Sequence, residues 1–282
     1  MIIGKKENQG FRKILSFTVV LAFLLFLNSS AYCLDFMGPP VAGLEWGQVE
    51  AGMNFTISKM DLELNGGLYD DYFDGIWIDS GEALDVKFKD FKINRAYANI
   101  GYGLMDGVEG FLRIGGANGK FDDSIWLNEE EFTSGAEFAF SGGVKFTFYN
   151  EGNLQLGGLF QAGMTNFDGE LSSVNWSASD FVEVNMAEMQ FALGACGDIN
   201  ENVSIYGGPF VHFVSGDLKD NSYILDSGGL LASEFTWDIE QESVLGGYLG
   251  IQMNFAENAS FNIEYQHTSD AGAFGMSFVS RF

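Results

Sequence analysis

The sequence predicts an all-β chain, an antiparallel up-and-down transmembrane β-barrel of about ten strands. Short turns would join the strands at one end and longer connections at the other. Three observations carry that prediction. Apolar and polar residues alternate with period two over long stretches, as they do in strands with one apolar face. Short and long connections between those stretches alternate strictly. Gly and aromatic residues abound while Pro is scarce, with 37 Gly, 28 Phe and 3 Pro in 282 residues, a composition that favours strands over helices.

The elements follow in chain order. Residues 1–33 read as an export signal. Lys5, Lys6, Arg12 and Lys13 precede the apolar run Ile14 to Leu27, and small residues follow it. The run is shorter than the roughly 20 residues of a membrane-spanning helix, so it suits a cleaved leader. The cut is expected after Cys33, with Ala31 as the alternative. Residues 34–42 form a short periplasmic leader, and residues 43–282 show no composition break and read as one barrel domain.

Within that domain the alternation is regular. Val49, Ala51, Met53, Phe55 and Ile57 interleave with Gln48, Glu50, Asn54, Thr56 and Ser58. Ala136, Phe138, Phe140, Val144, Phe146 and Phe148 oppose Glu137, Ser141, Lys145 and Thr147. The runs place strands near 44–59, 87–104, 108–117, 135–149, 154–166, 182–196, 203–214, 235–255, 261–268 and 273–282. Brief turns such as "MDG", "NEGN", "GDINEN" and "AENA" separate some of them. Long connections, near 60–86, 117–134, 166–180 and 215–233, are rich in Asp, Glu, Gly and Ser.

A soluble sandwich would alternate too. However, these runs are roughly 10–15 residues long, against about 5–6 for globular strands and about 9–11 for strands that cross a bilayer. Phe146, Phe148, Phe255 and Phe261 gather beside short turns, as an interfacial aromatic girdle does. One residue conflicts with the pattern. Pro209 falls inside a strand and has no N–H for the ladder, so a bulge near Gly207–Gly208 or a later strand start is expected.

Charge narrows the function. The formal net charge is −25, and removing residues 1–33 makes it about −28. Binding to nucleic acid is excluded on charge grounds, because phosphate neutralisation needs clustered Lys and Arg. After leader removal only Cys196 remains, so no intramolecular disulfide forms. No zinc, P-loop or dinucleotide spacing occurs, and no cofactor is expected. Strand parity turns Glu50, Glu109, Arg113, Glu137, Lys145, Glu188 and Glu264 into the lumen. There they form either a filled network of ion pairs or a selective path for a small solute. The acidic stretches "LYDDYFDG" and "FDDSIWLNEEEF" offer oxygen ligands of the kind Ca²⁺ takes, without the spacing of a known calcium loop. Solvated surface is the alternative reading.

The chain ends "FGMSFVSRF". Phe274, Met276, Phe278 and Phe282 alternate with Gly275, Ser277, Val279 and Arg281. This resembles the C-terminal assembly signal of bacterial outer-membrane β-barrel proteins, with Ser280 where an aromatic is common. The resemblance extends to small opacity-type or OmpA-type barrels without a peptidoglycan-binding domain. It implies residence in outer-membrane lipid of a Gram-negative bacterium and recognition by the barrel-assembly machinery. The expected role is non-enzymatic, structural or surface-interacting, with a narrow pore as the alternative. "YQHTSDAG" is also similar over some six residues to the His-x-Ser-Asn segment of outer-membrane lipid A deacylases. That likeness implies a His267/Ser269 hydrolase, although no Asp or Glu follows Asp270. No external ligand can be read from the residues.

Overall fold

The computed structural model of the protein describes residues 34–122, 131–171, 178–226, 229–240 and 244–282. These form a single antiparallel sheet of thirteen strands. In chain order they are β1 (Val49–Phe73), β2 (Ile76–Glu82), β3 (Val86–Met105), β4 (Val108–Asp122), β5 (Glu131–Ser134), β6 (Glu137–Glu151) and β7 (Leu154–Leu171). Then follow β8 (Ala178–Asn200), β9 (Val203–Asp226), β10 (Gly229–Glu240), β11 (Leu245–Ala256), β12 (Ala259–His267) and β13 (Ala271–Arg281).

At the short-turn end the ring has ten members. It runs β1, β3, β4, β6, β7, β8, β9, β11, β12, β13 and back to β1. The closing pair is in register from Glu50↔Arg281 to Met60↔Ala271. Closure leaves no unpaired edge in this part of the wall, which is what an antiparallel barrel achieves over an open sheet.

The far end is built differently. Beyond the β12–β13 hairpin, β10 pairs with β9 on one side and directly with β1 on the other. There β5 stands in for β6 between β4 and β7, and β2 continues the line of β3 along β1. The wall above the hairpin therefore has eight members, β1, β3, β4, β5, β7, β8, β9 and β10. Much of what the sequence suggested as long connections is strand. The physical reason lies in their inward faces: Met60, Leu62, Leu64, Phe121, Phe132, Phe167 and Leu218 are buried, in one core with Phe88, Phe91, Val182, Val184, Met186, Trp237 and Ile239 of the expected strands. Their rings interlock, with Phe121 stacked on Phe132 at 4.7 Å and Phe91 edge-on to Phe167 at 5.6 Å. Most of the Asp and Glu residues between them face the other way, although Asp220 and Ser134 are buried. The β1–β2 hairpin turns on Asp74 and Gly75, both at positive φ (49° and 77°), as a two-residue hairpin loop requires.

Pro209 sits inside β9 without a register shift. It pairs with Gly247 of β11, while the ladder to β8 steps from Ala192↔Phe210 to Ala195↔Gly207. The missing N–H is absorbed by a two-residue gap in one ladder, not by a bulge or a later start.

The outer surface of the ten-stranded part is an apolar band. Met53, Phe55, Ile57, Ile100, Leu112, Ile114, Phe138, Phe140, Met164, Met189, Phe191, Phe213 and Leu249 are all exposed there. The matching inward positions are polar: Asn54, Thr56 and Ser58 on β1, Asn262, Glu264 and Gln266 on β12, all buried. The ring is thus inverted relative to a soluble barrel, with its apolar side out.

Candidate functional site: a strap inside the barrel

Residues 34–42, expected as a leader ahead of the barrel, run within it together with Gly43 and Leu44. Leu34 and Met37 have no exposed surface, and Phe36, Val41 and Leu44 are buried. The segment holds its place through its backbone. Met37 and Gly38 both donate their N–H to Glu264, at 2.9 Å each. Ala42 donates to Thr147 Oγ1 at 3.0 Å, and Gly43 to Glu109 Oε2 at 2.8 Å. Pro39 and Pro40 have no N–H to satisfy, so two of the three residues between those anchors need no hydrogen-bond acceptor.

Side chains secure the deeper end. Arg113 Nη1 donates to the Phe36 carbonyl at 2.6 Å and to Gln161 Oε1 at 3.1 Å, and it pairs with Asp35 at 3.4 Å. Its guanidinium lies 4.5 Å from the centre of the Phe111 ring, a cation–π contact. Gln266 Nε2 donates to the Asp35 carbonyl at 2.7 Å, and Ser141 Oγ to the Asp35 carboxylate at 3.2 Å. Gln161, Gln190 and Gln266 form a relay of amides across the lumen. On β13, a Cβ at Gly275 would stand 2.6 Å from Phe36 Cδ2, so the wall there admits the strap only because it carries no side chain.

Above the strap is an ionic layer. Arg95 pairs with Glu188, and His212 Nε2 lies 3.7 Å from the other oxygen of the same carboxylate. All three are buried. Below it, toward the short turns, Lys145 pairs with Glu109 and Arg281 with Glu50, both at 3.5 Å. Those side chains, with Asn54, Asn99 and the strap, line a polar cavity of about 260 Å³. The interior therefore has three layers: a polar cavity beside the strap, an ionic layer, and a largely apolar core.

Of the residues expected in the lumen, Glu50, Glu109, Arg113, Lys145, Glu188 and Glu264 lie on this interior. Glu137 stands apart, half-buried beside Gly135 at the break between β5 and β6. Sequence reasoning missed Asp35, Arg95, His212, Gln161, Gln190 and Gln266. Arg95 could have been found, since it alternates in step with Phe91, Ile93, Tyr97 and Asn99, all buried. Asp35 carries no periodic signal at all.

The C-terminal strand places Phe278 and Phe282 on the outside with Met276, and Ser277 and Val279 within. Phe274 is half-buried on the outer face. At the far tip of β12, His267 stacks on Tyr265, while Ser269 Oγ donates to Asp270 at 2.5 Å. That hydroxyl is tied to a carboxylate and not to the imidazole. The stretch "LYDDYFDG" lies along β1 and its turn, where successive residues such as Asp70 and Asp71 project to opposite faces. In "FDDSIWLNEEEF", residues 123–130 lie outside the described residues. Among the described residues no group of three or more His, Cys, Asp or Glu side chains could hold a metal ion.

The sequence matches no protein-family model. It also matches no curated protein. Solved structures that resemble the fold are outer-membrane proteins. The translocator domain of the autotransporter NalP from Neisseria meningitidis has a TM-score of 0.44 at 11% identity, covering 85% of this chain and 89% of that one. OprG from Pseudomonas aeruginosa has a TM-score of 0.42 at 13% identity, covering 85% and 98%. The protease OmpT from Escherichia coli has a TM-score of 0.37 at 15% identity, covering 82% and 94%. At such scores and identities the likeness carries no argument about what this chain does.

Proposed function

We propose that the protein is an integral outer-membrane barrel with a closed lumen, whose role is structural or surface-interacting, adhesive contact included. The observation that carries the reading is an obstructed lumen: the strap crosses the ten-stranded part beside the polar cavity, and side chains fill the eight-stranded part. The exposed apolar band supports placement in lipid, because buried polar and exposed apolar faces are stable only with hydrocarbon outside. In this placement the short turns face the periplasm and the eight-stranded part stands outside the cell. The acidic outer face of that extension is then the surface offered to partners.

Removal of residues 1–33 belongs to the same proposal, and is supported by the burial of Leu34 among barrel side chains. So does recognition of Phe274, Met276, Phe278 and Phe282 by the barrel-assembly machinery, supported by the outward alternation of β13. A narrow pore for small solutes is the second reading, favoured by the polar cavity of about 260 Å³. Single-channel recording in a planar bilayer separates the two. The closed-barrel reading expects a silent membrane, and discrete conductance steps from the unaltered protein would refute it.

A further inference from the structure

The scarce cations of this acidic protein are unevenly placed. Of 14 Lys and Arg in the chain, Lys59, Lys87, Lys89, Lys92 and Lys120 stand on three adjacent strands, β1, β3 and β4. Within that group Lys59 lies directly across from Lys92, and Lys92 directly across from Lys120. Residues so paired have Cβ atoms about 5 Å apart, and like charges there repel.

A bulge in β3 assembles the group. Between buried Phe88 and buried Phe91, two consecutive residues, Lys89 and Asp90, face outward. In unbroken alternation Lys89 and Lys92 would point to opposite faces. With the extra residue, Lys87, Lys89 and Lys92 are exposed on the same one. The bulge requires a left-handed backbone at Asp90, φ 65°, a conformation non-glycine residues adopt at a cost. The surrounding acids steady the strands: Asp61 Oδ1 accepts the Asp90 N–H at 2.9 Å, Asp90 pairs with Lys59, and Glu63 with Lys87.

The lysines sit at the upper margin of the apolar band. Below Lys59 on β1 the outward residues are Ile57, Phe55 and Met53, all exposed. Below Lys92 and Lys120 comes a single polar layer, Asn94 donating to Asn118 at 2.9 Å, and then Ala96 and Ile114. The opposite wall is acidic beyond its own apolar residues, with Asp168, Glu183 and Asp217 around Lys219.

We infer that the accessible part of the row Lys59–Lys92–Lys120, namely Lys92 and Lys120 with Lys89, binds the phosphate groups of a phosphorylated lipid headgroup in the outer leaflet, Lys59 being buried and paired with Asp90. This rests on the membrane reading above, since a lipid whose chains lie on Ile57 and Phe55 carries its headgroup to the height of the row. Phosphate oxygens reaching Lys89, Lys92 and Lys120 would accept charge-assisted hydrogen bonds from their ammonium groups. Lysine serves phosphate as a point charge without demanding one geometry, which suits a fluid lipid.

Native mass spectrometry of the detergent-extracted barrel tests the inference, with bisphosphorylated lipid A, dephosphorylated lipid A or inorganic phosphate added. The unaltered protein should retain the phosphorylated lipid at least ten-fold better than the dephosphorylated one. In the Lys89→Gln/Lys92→Gln/Lys120→Gln variant that preference should fall below two-fold, and Lys219→Gln should keep it. Equal retention of both lipids by the unaltered protein overturns the inference. So does an undiminished preference in a triple variant that still changes gel mobility on heating. An adduct with inorganic phosphate alone would overturn the assignment to lipid. Failure of the membrane reading looks different: the protein would then stay compact and soluble without detergent.

Discussion

Arg95, Glu188 and His212 are buried at the boundary between the polar and apolar halves of the interior. A charge so placed is tolerable only with its partner, and removing one member leaves the other uncompensated. Arg95→Leu should therefore destabilise the barrel by about 3–5 kcal/mol, read as a lowered urea midpoint in detergent. Arg95→Leu combined with Glu188→Leu should recover more than half of that loss. If the double variant is weaker than the single one, the pair is not the reason Arg95 matters. The inward carboxylates were readable because each occupies one parity of a strand with a clear apolar face, as Glu188 does between Met189 and Ala187. Arg95 was equally regular, alternating in step with Ile93 and Tyr97.

The strap is the element least visible in the sequence. "LDFMGPPVA" has no period, and its position depends on distant partners, chief among them the Glu264 carboxylate more than 200 residues away. Only the closed ring brings Glu264 to it. A cross-link can test that placement. A Cβ at Gly275 would lie 3.3 Å from Phe36 Cβ, close to the roughly 3.5–4.5 Å of a disulfide. With Cys196→Ser to remove the native thiol, Phe36→Cys/Gly275→Cys should oxidise to an internal bridge, a loss of two hydrogens by mass. Two thiols that both react with maleimide in the folded barrel would show that the strap lies elsewhere. The far-end strands were half legible. Val182-x-Val184-x-Met186 fell within the strand expected at 182–196, whereas Met60-x-Leu62-x-Leu64 also carries period two but its acidic neighbours read as loop composition. Amide exchange in β1 beyond Met60 and in β8 before Met186 should be slow, at rates comparable with the membrane part. Exchange within seconds would mean that these strands are not held by a core.

At the scale of the whole molecule, ring closure should make the unboiled protein migrate differently from the boiled one on SDS gels. Identical migration, together with solubility in plain buffer, would argue for a soluble sheet. Closure was legible because alternation, turn spacing and the last strand agreed across nearly the whole chain. The number of strands at each height was not, because it depends on β10 reaching across to β1, a long-range pairing with no local signature. That pairing sets the circumference. Two strands fewer at about 4.8 Å each shorten the perimeter by roughly 10 Å. Eight strands enclose a bore that side chains alone can fill, and above the β12–β13 hairpin they do. Ten strands enclose more than their own inward side chains occupy. Residues 34–44 are filling that the wider bore requires, so the step from ten strands to eight fixes where the strap is needed.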